Sequence, residues 1–224
     1  MLTIKNLTKV YDKKTVVSGV SFTVGRGEAF ALLGSNGAGK TTTIRMILGL
    51  AKKTAGEMGI GTDAIGYQPE SPGFPPFLTG REVLEYYAKL QGMNKAAAKE
   101  EAKRLLMLTG LDDSKTKTGH YSKGMLQRLA LAQALIGDPA LLILDEPTAG
   151  LDAVGRVEMI RLLCRLKKEG KTIVINSHIL SDIERICDKG LLLDKGRVYR
   201  NWDRYADEGK SLEQIFMETM EAVQ

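Results

Sequence analysis

The sequence predicts an α/β fold, a parallel sheet covered by helices and interrupted by an all-helical lobe. Three observations carry that expectation. Short apolar runs alternate with helix-length segments along most of the chain, the pattern of parallel strands joined by crossover helices. One of those runs feeds a glycine-rich loop that opens a helix. Between Pro72 and Gly119 the strand pattern stops and only helical periodicity remains.

Taken in order, Val20-Ser21-Phe22-Thr23-Val24 alternates as a half-buried strand does, and Glu28 to Leu33 reads as a buried strand. The loop Gly34-Ser35-Asn36-Gly37-Ala38-Gly39-Lys40-Thr41 follows, and a helix runs from Lys40 to Leu50. Ala64 to Gln68 is β-like and stops at Pro69. Ser71-Pro72-Gly73-Phe74-Pro75-Pro76 cannot continue regular structure. Thr79 followed by Glu82 has capping-box spacing, so a helix starts there and continues to Leu90; a second covers Lys95 to Leu108. Beyond the lobe the chain alternates: helix to Ile136, strand Leu141–Leu144, helix to Lys168, strand Thr172–Asn176, helix to Cys187, strand Leu191–Leu193. Ser211 to Met220 closes it as a short helix. The expected organisation is one domain, with an α/β core from 1–71 and 120–200, a helical lobe at 72–119 and a tail helix within 201–224.

A chain of 224 residues buries a substantial core. Hydrophobic residues make up 43% and charged residues 26%, the balance of a water-exposed globular domain. The net charge of +5 is spread among interspersed acidic and basic residues, which reads as a solvated surface rather than a nucleic-acid stripe. Cys164 and Cys187 have neither metal-ligand spacing nor a disulfide framework. The apolar tract from Leu129 to Leu144 is broken by Gln133, Gly137, Asp138 and Pro139, so it does not span a bilayer. A cytoplasmic location is expected, with any membrane link supplied by a partner.

The phosphate loop is the strongest local signal. Gly34, Gly37 and Gly39 let the backbone curl so that successive N–H groups, those of Ser35, Asn36 and Ala38 among them, face an anion. The helix start adds its positive dipole end. Lys40 is expected on the β- and γ-phosphates, Thr41 on Mg²⁺ and Thr42 on a phosphate oxygen. Asp145 and Glu146 end a buried strand, at the sheet edge where such folds bind ligands. One carboxylate suits the Mg²⁺ shell and the other suits polarising a water, since phosphoryl transfer asks the protein mainly for positioning and charge.

A short Ser-x-Gly turn opening a helix, Tyr121-Ser122-Lys123-Gly124-Met125-Leu126-Gln127-Arg128, lies between the loop and the carboxylates. That order resembles the ATP-binding cassette (ABC) ATPases over nearly the whole chain. The resemblance implies the P-loop ABC ATPase fold, a mixed-sheet core with an N-terminal antiparallel β part and an inserted helical lobe. It assigns the metal to Asp145 (with Thr41 and Glu70) and the general base to Glu146. It stacks Tyr11 on adenine with Val17 beside it, and makes His178 the switch histidine at the γ-phosphate. Asp152, in Ala149-Gly150-Leu151-Asp152, which starts three residues after Glu146, becomes the D-loop carboxylate, a role compatible with its also being a helix N-cap. Ser122, Lys123, Gly124 and Met125 become the signature that serves the opposite subunit's nucleotide.

Two stretches depart from the family pattern. The signature usually reads Leu-Ser-Gly-Gly-Gln; here Lys123 puts a cation at a helix N-terminus, which the dipole disfavours. At the Q-loop, Gly66-Tyr67-Gln68-Pro69-Glu70 places Glu70 in the glutamine position and Gln68 two residues early. Glu70 is the preferred sensor and Gln68 the alternative.

The resemblance implies an ATP- and Mg²⁺-dependent ATPase that works as a homodimer, or a heterodimer with a paralogue. It would sit on the inner face of the membrane through transmembrane permease subunits, with no nucleic acid as partner. The signature, the Gly-Tyr-x-Pro-Glu loop and the tail Ser211–Phe216 resemble the ABC-2 exporter group. A nucleic-acid or ribosome ATPase of the same family usually has tandem cassettes, coiled coils or zinc modules, none of them visible here. A GTPase needs Asn-Lys-x-Asp, and Asn94-Lys95 continues into Ala96-Ala97.

Overall fold

In the computed structural model, which describes residues 1–62, 64–207 and 209–221, the elements run as follows. Strands β1 (Leu2–Tyr11), β2 (Lys14–Val24) and β3 (Ala29–Gly34) lead into helix α1 (Lys40–Ile47), then β4 (Ala55–Ile60) and β5 (Ile65–Gln68). Helices α2 (Gly80–Leu90), α3 (Lys95–Thr109) and α4 (Lys123–Ala134) precede β6 (Leu141–Asp145) and α5 (Ala153–Lys168). The chain closes with β7 (Thr172–Asn176), α6 (Leu180–Ile186), β8 (Lys189–Asp194), β9 (Arg197–Asp203) and α7 (Leu212–Glu221). They form two compact units, Met1–Asp63 with Lys167–Gln224, and Ala64–Leu166.

The first unit holds an antiparallel sheet and a mixed one. β1 pairs antiparallel with β2 (Leu2↔Val24) and with β4 (Leu2↔Ile60). β3 lies parallel between β7 (Phe30↔Val174) and β8 (Phe30↔Lys189), and β9 runs antiparallel to β8. Ala29 to Leu33 are all buried, as an unbroken apolar strand with neighbours on both edges requires. β2 shows the alternation expected of it: Val20, Phe22 and Val24 are buried while Ser21 and Thr23 are exposed. The rings of Phe22 and Phe30 stack at 4.9 Å and tie the two sheets together.

Strands β4 and β9 were not anticipated from the sequence. β4 reads Ala-Gly-Glu-Met-Gly-Ile, whose two glycines lower its strand propensity; the ladder to β1 imposes the conformation. β9 is the return arm of a hairpin through Lys195 (φ 47°) and Gly196 (φ 81°), two consecutive left-handed residues as a type I′ turn demands.

In the second unit β5 pairs parallel with β6 from Ile65↔Leu141 to Gln68↔Leu144. The capping box is reciprocal: Glu82 N donates to Thr79 Oγ1 at 3.2 Å and Thr79 N donates to Glu82 Oε2 at 2.7 Å. Asn94 Oδ1 caps α3 by accepting from Ala96 N and Ala97 N, each at 3.0 Å, and Gly110 (φ 67°) ends that helix. Val83, Leu84, Ala98, Ala102 and Leu105 are fully buried between α2 and α3 and their neighbours. The segment expected as a separate lobe, 72–119, falls inside this unit. Helix α7 covers Leu212–Glu221 where the sequence predicts a helix from Ser211 to Met220, and residues 222–224 of the expected tail lie outside the described residues.

Candidate functional site

The phosphate loop sits between β3 and α1. Gly39 is the N-cap of α1 at φ 99°, and a Cβ there would come within 2.8 Å of Val16 O. At Gly34 a Cβ would meet Leu193 O at 2.1 Å, so the loop closes only because those positions carry no side chain. No side chain caps α1 and no acidic residue occupies its first turn, so its start is suited to an anion. Lys40 is buried, and its Nζ donates to Gly34 O at 2.7 Å and Ser35 O at 3.0 Å, folding the ammonium back over the loop. Thr41 is exposed and Thr42 half-buried, as are, respectively, the exposed Ser35, Asn36 and Gly37 and the half-buried Gly34; Ala38 is buried. Thr43 turns inward and donates to Gly39 O at 3.0 Å.

The β8–β9 turn braces this loop, a feature the sequence reading missed. Gly196 N donates to Ala38 O at 3.1 Å, Ser18 N donates to Gly196 O at 2.8 Å, and Ser35 Oγ donates to Asp194 Oδ1 at 3.2 Å. The Asp194-Lys195-Gly196 turn signal was present in the sequence, but nothing local linked it to residue 38.

Tyr11 ends β1 as a residue 44% exposed, with the Lys9 ammonium 4.3 Å from its ring centroid in a cation–π contact. Val17 is buried beneath the phosphate loop, its Cγ2 3.2 Å from where a Cβ on Gly39 would stand. His178 is exposed just past β7, whose residues are buried throughout, and Ser177 Oγ steadies the turn by accepting from Ile179 N at 3.1 Å.

In the second unit β6 is buried along its whole length and ends at Asp145, with Glu146 next; the two are 3% and 8% exposed. Glu146 has a left-handed backbone, φ 51°, which a side chain of this size adopts only when its surroundings enforce it. The following loop reaches Asp152, whose Oδ1 accepts from Gly155 N at 2.7 Å, so the N-cap reading of that residue holds.

Ser122 caps α4, accepting from Met125 N at 3.2 Å while remaining exposed. Gly124 admits Leu151: a Cβ on Gly124 would stand 3.1 Å from Leu151 Cδ2. Lys123 is exposed, Met125 half-buried. The two Q-loop candidates part company. Gln68 is fully buried and its Nε2 donates to Gln127 Oε1 at 2.6 Å; Glu70 is exposed. Only Glu70 offers its carboxylate to solvent.

Among the described residues no cluster of three or more His, Cys, Asp or Glu is arranged to hold a metal, and no helix is long and apolar enough to cross a membrane. Thr41, Asp145 and Glu70 are hard oxygen donors, the type Mg²⁺ takes alongside water and phosphate.

Comparison with known proteins places the chain in one family. The ABC transporter family profile matches residues 17–149. An uncharacterized ABC transporter ATP-binding protein of Nostoc sp., all4389, is 42% identical over 212 residues, covering 86% of this chain and 63% of that protein. Nod factor export ATP-binding protein I of Burkholderia orbicola is 40% identical over 205 residues, 86% of this chain and 67% of that one. The chain thus spans roughly two thirds of the length of these relatives. A solved ATP-binding subunit of an ABC transporter superposes with a TM-score of 0.88 at 32% identity, covering 98% of this chain and 99% of that one. The dimeric post-hydrolysis state of the cassette MJ0796, bound to ADP and Pi, gives 0.84 at 26% identity, covering 91% and 98%. With a loop built for phosphate, a strand delivering paired carboxylates and these matches over the same span, the chain belongs to the ABC transporter family, among its ATP-binding proteins.

Proposed function

We propose that this chain is the ATP-hydrolysing subunit of a membrane exporter and works as half of a head-to-tail dimer. The observation that carries this reading is Ser122, which caps α4 yet stays exposed, offering a helix N-terminus outward. Ser122 and Gly124, with Lys123 and Met125 beside them, bind the γ-phosphate held by the opposite subunit. The partner is a second copy or a paralogue.

Within each subunit the N–H groups of Gly34 to Gly39 and the Lys40 ammonium hold the phosphates, Thr42 adds a hydroxyl, and Tyr11 stacks on the base beside Val17. Mg²⁺ would be held by Thr41, Asp145 and Glu70, and when bound it neutralises phosphate charge. Glu146 takes a proton from the attacking water. The water oxygen bonds to the γ-phosphorus as the bond to the bridging oxygen breaks, leaving ADP and phosphate. His178 steadies the charge on the γ-phosphoryl oxygens, and Asp152 spans towards the partner. Closure on ATP and reopening after hydrolysis move the 72–119 helical lobe, which drives transmembrane permease subunits at the inner face of the membrane. The export direction rests on relatives such as the Nod factor protein.

Affinity purification of the tagged full chain from gently solubilised cells tests the assignment. Recovery with a polytopic membrane protein is expected; recovery only with ribosomes or nucleic acid overturns it.

A further inference from the structure

Two fully buried glutamines connect the Q-loop to the signature helix. Gln68, at the end of β5, donates from Nε2 to Gln127 Oε1 at 2.6 Å, and Gln127 Nε2 donates to the backbone carbonyl of Glu70 at 2.8 Å. The polarity of this chain is fixed. A carbonyl only accepts, so Gln127 must turn its NH₂ to Glu70 and its oxygen to Gln68, and Gln68 must answer with NH₂. That leaves Gln68 Oε1 buried without a hydrogen-bond partner. An apolar pair of the same size would avoid that orphaned acceptor, so stability alone does not account for two amides here.

The ends of the chain are what connect to chemistry. Glu70 is the exposed Q-loop carboxylate, and Gln127 lies five residues after Ser122 on α4. Gln127 and the capped start of the helix belong to one unbroken helical segment, Lys123–Ala134, whose residues Leu129 to Ala132 are fully buried. We propose that Gln127 is a positioning residue that couples the Q-loop backbone at Glu70, which senses the nucleotide of its own subunit, to Ser122, which serves the nucleotide of the opposite one. Gln68 holds the Gln127 amide in register. A shift of the Glu70 carbonyl is passed through one hydrogen bond to α4 and so to the other site, which makes the two sites of the dimer cooperative. This inference rests on the roles given above to Glu70 and Ser122.

The test uses the full chain with Gln127→Met, which keeps side-chain length and removes both bonds. Two quantities are read: the Hill coefficient of ATP hydrolysis, and ATP-driven dimerisation by sedimentation in a Glu146→Gln background. Gln127→Met is expected to take the Hill coefficient to about 1 and weaken ATP-driven dimerisation about tenfold, while monomer ATP affinity stays within about twofold. Gln68→Met shifts both readouts the same way by less, and decides the question should Gln127→Met fail to fold. Parent-like cooperativity and dimerisation in a folded variant, with Glu70→Ala and Ser122→Ala both inactive, overturn the coupling alone. Full activity in Glu70→Ala and Ser122→Ala removes the two ends and overturns it together with the site assignment.

Discussion

The side chain of Lys123 lies across Gly150. A methyl group on Gly150 would stand 2.3 Å from Lys123 Cδ and 2.7 Å from Cε, and Gly150 itself is left-handed at φ 75°. The lysine that the α4 dipole disfavours therefore has a structural occupation, since its methylene stem packs over the backbone at Gly150.

Two substitutions separate the stem from the charge. Lys123→Met keeps the cover and is expected to leave stability unchanged while altering the salt dependence of ATP-driven dimerisation. Gly150→Ala strains a left-handed residue and displaces the lysine, costing about 1–3 kcal/mol. Thermal unfolding reads the second and sedimentation across a salt series the first. A Lys123→Met protein with parental salt dependence would show that the ammonium plays no part in nucleotide-driven association.

Glu146 is held at φ 51° with 8% of its surface exposed. Glu146→Gln preserves shape and hydrogen-bonding reach but not basicity, so hydrolysis is expected to fall by about 10²–10⁴-fold while ATP still binds. The ATP-bound dimer should then accumulate. A variant that hydrolyses at the parental rate would move the general base elsewhere.

What could be read from the sequence was local. Lys40, Asp145 and Glu146 sit in patterns whose spacing alone dictates their context, and α2 and α3 carry their caps in Thr79, Glu82 and Asn94. What escaped was long-range. β4 and β9 exist because β1 and β8 pair with them, and the brace from Gly196 to Ala38 joins residues with no shared pattern. Gln68 is the instructive case. As a glutamine beside the Q-loop it invited a sensor role, and only its burial against Gln127 separates it from Glu70.

Arg128 binds three helices of the second unit together. From α4, its Nη1 donates to Thr109 O at 2.9 Å at the end of α3, and its Nη2 pairs with Glu158 of α5 at 2.6 Å. The arginine side chain is 17% exposed but that of Glu158 is 52%, so solvent partly screens the ion pair, while the bond to Thr109, itself 1% exposed, lies in the interior. Arg128→Met retains most of the stem and loses both bonds, an expected cost of about 2 kcal/mol. For a domain of this size that lowers Tm by about 4–8 °C, measurable by calorimetry. An unchanged Tm would show that the three helices hold without it.

Glu82 supplies a pH-dependent term at the start of α2. The Thr79 backbone N–H, and then the Lys117 ammonium at 3.1 Å, hold its carboxyl below the ordinary value of 4.5. A carboxylate depressed in the folded state stabilises fully above its unfolded pKa and loses that contribution as pH falls through the folded one. Glu82→Gln is therefore expected to lower Tm at about pH 7, and the gap between variant and parent should narrow as the pH falls below 4.5. Tm measured across that range checks it. A gap that stays constant with pH would assign the stabilisation to hydrogen-bond geometry alone, with no part for the charge.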